Sequence, residues 1–215
     1  MKSKLKLLAI IGSHRKNGNS YLLAKKVLES IGVDHEIIQL ADSYIEFCNL
    51  CEKCLSDDCV LEDGFNKILE KMKSADGIIF AFPKYVLFAS KFICFLERIA
   101  TIQHMREHMG YKIAFKNPDY RLFSAKKPFC IFVTSGTGKM EKENLQIVAD
   151  YIEGLGLELV PHDLPPFVGV NVKAGDDAGE VLKNTEGIEE CRKLTEKLIV
   201  SIENGDSGHT SFLKS

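Results

Sequence analysis

Cys48, Cys51, Cys54 and Cys59 fall within twelve residues, in the spacing C-x2-C-x2-C-x4-C. Thiolates crowded so closely commonly share a metal ion or an iron–sulfur cluster. Three chemistries fit the spacing. A 4Fe-4S cluster takes four thiolates and tolerates short separations, because the cluster itself is wide. Zinc favours two separated Cys-x-x-Cys pairs, although a compact site would also serve. In the third, the thiols bind nothing. A disulfide framework fits worst: the chain has seven cysteines, an odd number, and enough apolar sequence for a large core, so reduced thiols and a cytoplasmic location are expected. Cys94, Cys130 and Cys191 lie in apolar or helical stretches and read as plain core or surface residues.

A second stretch can hold an anion. An apolar run, Leu5 to Ile11, leads into Gly12-Ser13-His14-Arg15-Lys16-Asn17-Gly18-Asn19-Ser20 and then into a helical pattern. A turn rich in glycine and hydroxyls at a helix start offers backbone N–H groups and the positive end of the helix dipole to a phosphate. Ser13, Asn19 and Ser20 can add donors and Arg15 a charge. The run lacks both G-x-G-x-x-G and a Walker loop. The plainer reading is that Asn19 or Ser20 caps the helix and nothing more.

These segments need a frame. Apolar runs at Leu5–Ile11, Asp34–Leu40, Gly77–Phe82, Phe129–Thr134 and Leu157–Val160 predict five strands. Helical periodicity separates them at Ser20–Ile31, after Asp63 (Phe65, Ile68, Leu69, Met72), at Phe88–Ile99 and at Glu141–Leu155, with a closing helix over Thr185–Ile202. The alternation predicts an α/β fold, a parallel sheet with helices on both faces, as one domain over residues 1–203. Residues 172–183 and the tail 204–215 are polar or glycine-rich and are expected to be mobile.

The pattern Ser13-x-Arg15-x-x-Gly18-Asn19-Ser20 after a first strand resembles the NADPH-dependent FMN reductases, in which this stretch holds the FMN phosphate. That resemblance implies a flavodoxin-like three-layer sandwich with strand order 2-1-3-4-5 and FMN at the C-terminal strand ends. It also implies that the loops Phe82-Pro83-Lys84-Tyr85, with Val86 after them, and Thr134-Ser135-Gly136-Thr137-Gly138 frame the flavin ring. Phe82 and Val86 depart from the residues usual in relatives. Within the superfamily, the stretch from Cys48 through Asp63 and Phe65 to Ala75-Asp76-Gly77-Ile78-Ile79 resembles the iron–sulfur flavoproteins of anaerobes. Gly64 stands where those often carry a second aspartate. The likeness omits residues 101–127 and the tail. It implies FMN, a 4Fe-4S cluster on the four cysteines, and a homo-oligomer, dimer or tetramer.

The formal charge of −2 gives no push toward nucleic acid or an anionic membrane, and no apolar run is long enough to span one. Residues 101–127 interleave basic and aromatic side chains and read as a lid, an inter-subunit arm or a solvated loop. His104 and His108 read as a solvated helix face. The expected function is electron transfer between cluster and FMN, with a small-molecule or ferredoxin-type donor or acceptor. The alternatives are an NAD(P)H-dependent FMN or quinone reductase without a cluster, and a non-enzymatic flavin- or zinc-binding redox sensor. No general acid or base is required, so no catalytic residue is assigned.

Overall fold

The structure is a computed structural model; it describes residues 5–55, 58–85, 87–109, 122–123, 126–137 and 142–209. Strands β1 (Lys6–Ile11), β2 (Asp34–Gln39), β3 (Gly77–Pro83), β4 (Lys127–Ser135) and β5 (Leu157–Leu159) form a parallel sheet in the order β2-β1-β3-β4-β5. The expected flavodoxin-like order is therefore present. Helices α1 (Asn19–Ile31), α2 (Phe65–Ser74), α3 (Ser90–His104), α4 (Lys142–Gly154) and α5 (Thr185–His209) cover it.

The central strands are apolar at nearly every position because both faces are covered. Their alternation sorts side chains between two cores. Leu8, Ile10, Ile78, Phe80, Phe129 and Ile131 pack against α2, α3 and α4. Leu7, Ala9, Ile11, Ile79, Cys130 and Phe132 pack against α1 and α5. Cys130 and Cys191 are fully buried in the second core, and burial pushes both thiols well above their ordinary range. They are packing residues. Gly32 ends α1 in a left-handed conformation (φ 71°), its N–H donating to the Leu28 carbonyl at 3.1 Å.

Four expectations are corrected. The sheet holds a sixth strand that was not expected. β5 pairs with the start of β4, the chain leaves the sheet, and β6 (Val170–Lys173) returns to pair in parallel with Phe132–Ser135. Residues 172–183, expected to be mobile, include the end of that strand and a helical turn at Glu180–Lys183. Polar Asn171 and Lys173 mask a strand whose buried contribution is Val170 and Val172 alone. The third helix also runs further than expected, through His104 and into a wider π turn over Met105–Met109. Residues 110–121 and 124–125 of the basic-aromatic stretch lie outside the described residues, while Leu122 and Phe123 are buried in the first core. α5 continues through His209, into the stretch read as tail.

Candidate functional site

The Gly12–Ser20 turn leaves the C-terminal end of β1, tucked against α3. A Cβ on Gly12 would lie 2.7 Å from Phe92 Cβ, so only glycine lets the strand end pass this helix. Ser13 is buried and its Oγ accepts the Arg15 N–H at 3.0 Å, closing the turn. Gly18 precedes α1 with extended backbone, no side chain caps the helix, and its first turn holds no acidic residue. The plain capping reading of Asn19 and Ser20 therefore does not hold. Ser20 Oγ instead bonds Thr134 Oγ1 at 2.8 Å beneath the turn. Asn19 Nδ2 donates to the carbonyls of Gly175 and Asp177 at 2.9 and 3.0 Å, and its Oδ1 accepts the N–H groups of Gly179 and Val181 at 2.9 and 3.3 Å. Arg15 Nη1 donates to the Asp176 carbonyl.

The two further loops meet this turn. Lys84 N donates to the Thr134 carbonyl at 2.8 Å, joining the ends of β3 and β4. The Tyr85 ring stacks on His14, with centroids 6.0 Å apart and planes 23° apart. Ser135 Oγ donates to Asn171 Oδ1 at 3.1 Å and its carbonyl accepts Ala174 N–H at 2.9 Å. A cleft of about 100 Å³ results. Of the residues expected here, Ser13, Arg15, Gly18, Asn19, Ser20, Pro83, Lys84, Tyr85, Ser135 and Gly136 line it. Thr137 follows Gly136 off the lining and is exposed, and Val86 and Gly138 lie outside the described residues. Thr134, at the head of the second loop, also lines it, and sequence reasoning missed the segment Ala174–Asp176, which closes one side. Its place in a stretch read as polar or glycine-rich, residues 172–183, hid its role.

A helix start without a side-chain cap or an acidic residue, at the end of a parallel strand, suits a phosphate. The residues therefore fit the phosphate end of FMN. A wider cleft, about 720 Å³, opens beside β6 and the start of α5. Its walls set Glu186 and Glu190 against Lys142 and Lys173 and hold none of the Gly12–Ser20 turn, so it lacks this anion cradle.

The four clustered cysteines occupy the connection between β2 and α2. Cys51 is exposed, Cys48 and Cys59 half-buried and Cys54 buried. All four border one small cavity of about 20 Å³, shared with Arg98 and Ile102 of α3. Leu50 and Glu52, on either side of Cys51, hold left-handed backbone (φ 52° and 57°). Such backbone costs about 1–3 kcal/mol per residue and persists where the surroundings impose it. Burial, then the neighbouring Cys59, Cys48 and Cys51, pushes the Cys54 thiol above its ordinary value. Among the described residues no three His, Cys, Asp or Glu side chains are gathered as a group able to hold a single ion. The donor set, four thiols on one cavity, fits an iron–sulfur cluster in kind.

Below the cysteines lies a buried ion pair, Arg98–Asp63, its side chains 1% and 2% exposed. Asp63 Oδ2 also accepts Glu46 N–H at 2.8 Å and Oδ1 accepts Phe65 N–H at 3.0 Å, so one carboxylate ties the two ends of the cysteine connection and starts α2. Burial pushes the Asp63 carboxyl up; the bonds from Glu46, Arg98 and Phe65 more than reverse this and leave it below the ordinary carboxylate value. Neither residue was singled out for a site from sequence beyond the helix start at Asp63.

The family model for NADPH-dependent FMN reductases matches residues 5–153. The chain belongs to that family. The matched stretch contains β1 through most of α4, with the Gly12–Ser20 turn and the cysteine connection, while Ala174–Asp176 of the cleft lie beyond it. An iron–sulfur flavoprotein of Archaeoglobus fulgidus is 41% identical over 83 residues, 38% of this chain and 41% of that protein. A second protein so named from the same organism is 24% identical over 201 residues, 92% of this chain and 97% of that one. The chain spans less than half the length of the curated relatives that it matches at 34% identity or more. Among solved structures, the Trp repressor binding protein of Bacillus subtilis superposes with a TM-score of 0.55 at 18% identity, covering 87% of this chain and 96% of that one, a likeness of fold.

Proposed function

We propose that this family member binds FMN at the Gly12–Ser20 turn and a 4Fe-4S cluster at Cys48, Cys51, Cys54 and Cys59, and transfers electrons between them. The reading rests chiefly on one observation: α3 starts beside the flavin cleft and carries the wall of the cysteine cavity. Ser90, its first residue, bonds His14 Nε2 at 3.3 Å, and Arg98, Thr101 and Ile102 border the cysteines. Arg98 lies eight positions along the helix from Ser90, a rise of roughly 12 Å. FMN, when bound, supplies exchange between two-electron and one-electron chemistry, and a cluster supplies one-electron transfer. The chain supplies placement. The first-turn amides of α1 and the Arg15 charge hold the phosphate. Backbone at 84–85 and 135–136 faces the ring, and the stacked His14–Tyr85 pair flanks its edge. The donor or acceptor is a small molecule or a ferredoxin-type protein, and the working form is a homo-oligomer.

A second reading, an NAD(P)H-dependent FMN or quinone reductase without a cluster, is favoured by the small volume between the thiols. The deciding measurement is the iron, acid-labile sulfide and FMN content of anaerobically purified protein, with Cys51→Ala as control. About four iron and four sulfide per chain, lost in the control, supports the cluster. FMN without iron after reconstitution leaves the reductase, which then oxidises NAD(P)H rapidly with FMN alone. Protein without FMN refutes both.

A further inference from the structure

Arg98 occupies a position where a helix normally places an apolar residue. It lies three residues after Phe95 and four before Ile102, both buried, and is itself 2% exposed. Among the described residues no other lysine or arginine is buried. Its guanidinium sits 4.1 Å from the Phe65 ring centroid, Nη1 donates to Asp63 and to the Glu46 carbonyl at 3.2 Å, and Nη2 donates to Cys59 Sγ at 3.0 Å. Nε is buried without a partner. A buried ion pair is weak grounds for stability, since well-packed apolar residues often do as well. Something other than packing accounts for this arginine, and its remaining bond goes to a cysteine of the cavity.

We infer that Arg98 is the positioning residue and counter-charge of the cysteine site: Asp63 fixes the guanidinium, and the guanidinium fixes the Cys59 sulfur and eases the addition of an electron to a cluster held there. The inference rests on the cluster reading above. The electrostatics are direct. Four thiolates around a cluster make a net anion, and reduction adds one more electron without a proton. A fixed cation and a hydrogen bond at one ligating sulfur stabilise the reduced form more than the oxidised one, raising the reduction potential. The same bond restrains Cys59, which follows the longest gap in the motif and so is least restrained by its neighbours in sequence. Arg106 Nε donates to the Cys54 carbonyl at 3.2 Å and holds the loop's backbone from the same side.

A merely structural role predicts different results. Arg98→Met alone strands a buried carboxylate and can fail to fold, so the informative variant is Asp63→Asn/Arg98→Met, which removes both charges together. Wild type, this double variant and Arg98→Lys are reconstituted anaerobically, assayed for iron and sulfide, and titrated with redox mediators under EPR detection. In the double variant the ratio of reduced to oxidised cluster at a fixed potential is expected to fall at least tenfold, a midpoint 59 mV more negative for a one-electron couple. Arg98→Lys keeps the charge and the fold but not the planar fork, and its cluster is expected to bleach about tenfold faster in chelator. An unmoved midpoint in the double variant overturns the role of Arg98 and leaves the cluster reading standing. Should the double variant not fold, unchanged bleaching in Arg98→Lys overturns it equally. A wild type that takes up no iron and sulfide overturns both readings.

Discussion

Replacing Asn19 by alanine removes four hydrogen bonds at once, those to the carbonyls of Gly175 and Asp177 and from the N–H groups of Gly179 and Val181. A net bond is worth about 0.5–1.5 kcal/mol, and solvent replaces the exposed pair almost fully. Counting the two part-buried N–H bonds at about 1 kcal/mol each gives a loss of about 2 kcal/mol in closing this segment. That is about a 30-fold rise in its opening equilibrium. Native-state amide exchange at Gly179 and Val181 reads that opening directly. Exchange at these amides is expected to speed up about 30-fold in Asn19→Ala, while amides of β1 and β3 stay as in wild type. Asn19→Asp separates the clamp from the anion site. It keeps the acceptor for Gly179 and Val181 and its charge suits a helix start, but it loses the donor to the Gly175 and Asp177 carbonyls and sets a carboxylate beside the proposed phosphate. Exchange at Gly179 and Val181 slower than in Asn19→Ala, with FMN binding weaker than in wild type, is therefore expected. Unchanged exchange in Asn19→Ala, or FMN binding in Asn19→Asp equal to wild type, refutes the reasoning.

Two further predictions concern the frame. Gly12→Ala places a Cβ 2.7 and 2.8 Å from two atoms of Phe92; overpacking of this kind costs about 1–3 kcal/mol, and thermal unfolding is expected several degrees lower, whereas an unchanged midpoint contradicts the close approach. Asp63 titrates below its unfolded value, so its contribution is present above about pH 4 and is lost as pH falls through the folded pKa. Urea midpoints at pH 6 and pH 3 should therefore differ less in Asp63→Asn/Arg98→Met than in wild type, and an equal difference refutes the assignment.

The sheet was legible because parallel strands buried on both faces leave continuous apolar runs, as in Leu7–Ile11 and Ile78–Phe82. The turn between β1 and α1 was legible from its glycine, hydroxyl and arginine spacing, but the partners of its side chains were not. Asn19 reads as a phosphate donor in sequence and is a clamp in the structure, because the carbonyls that it meets lie more than 150 residues away. β6 escaped notice because it is four residues long and stands beside a polar, glycine-containing stretch; the alternation of Val168, Val170 and Val172, all buried, was the cue. Arg98 was overlooked because Glu97-Arg98 on a helix looks like a solvated surface; the position of Arg98 within the stripe Phe95, Ile99 and Ile102 was the cue.

The cysteine connection joins β2 to α2 outside the sheet, and none of its described residues pairs with a strand. A different connection in its place would leave the strand pairing as it is. The Arg98–Asp63 pair makes that exchange conditional. A descendant that loses the connection, and Asp63 with it, leaves a lone guanidinium in the core under α3 and must exchange Arg98 for an apolar residue in the same evolutionary episode. Within a set of related sequences, the residue at this one helical position should thus report whether a chain still carries its cysteines.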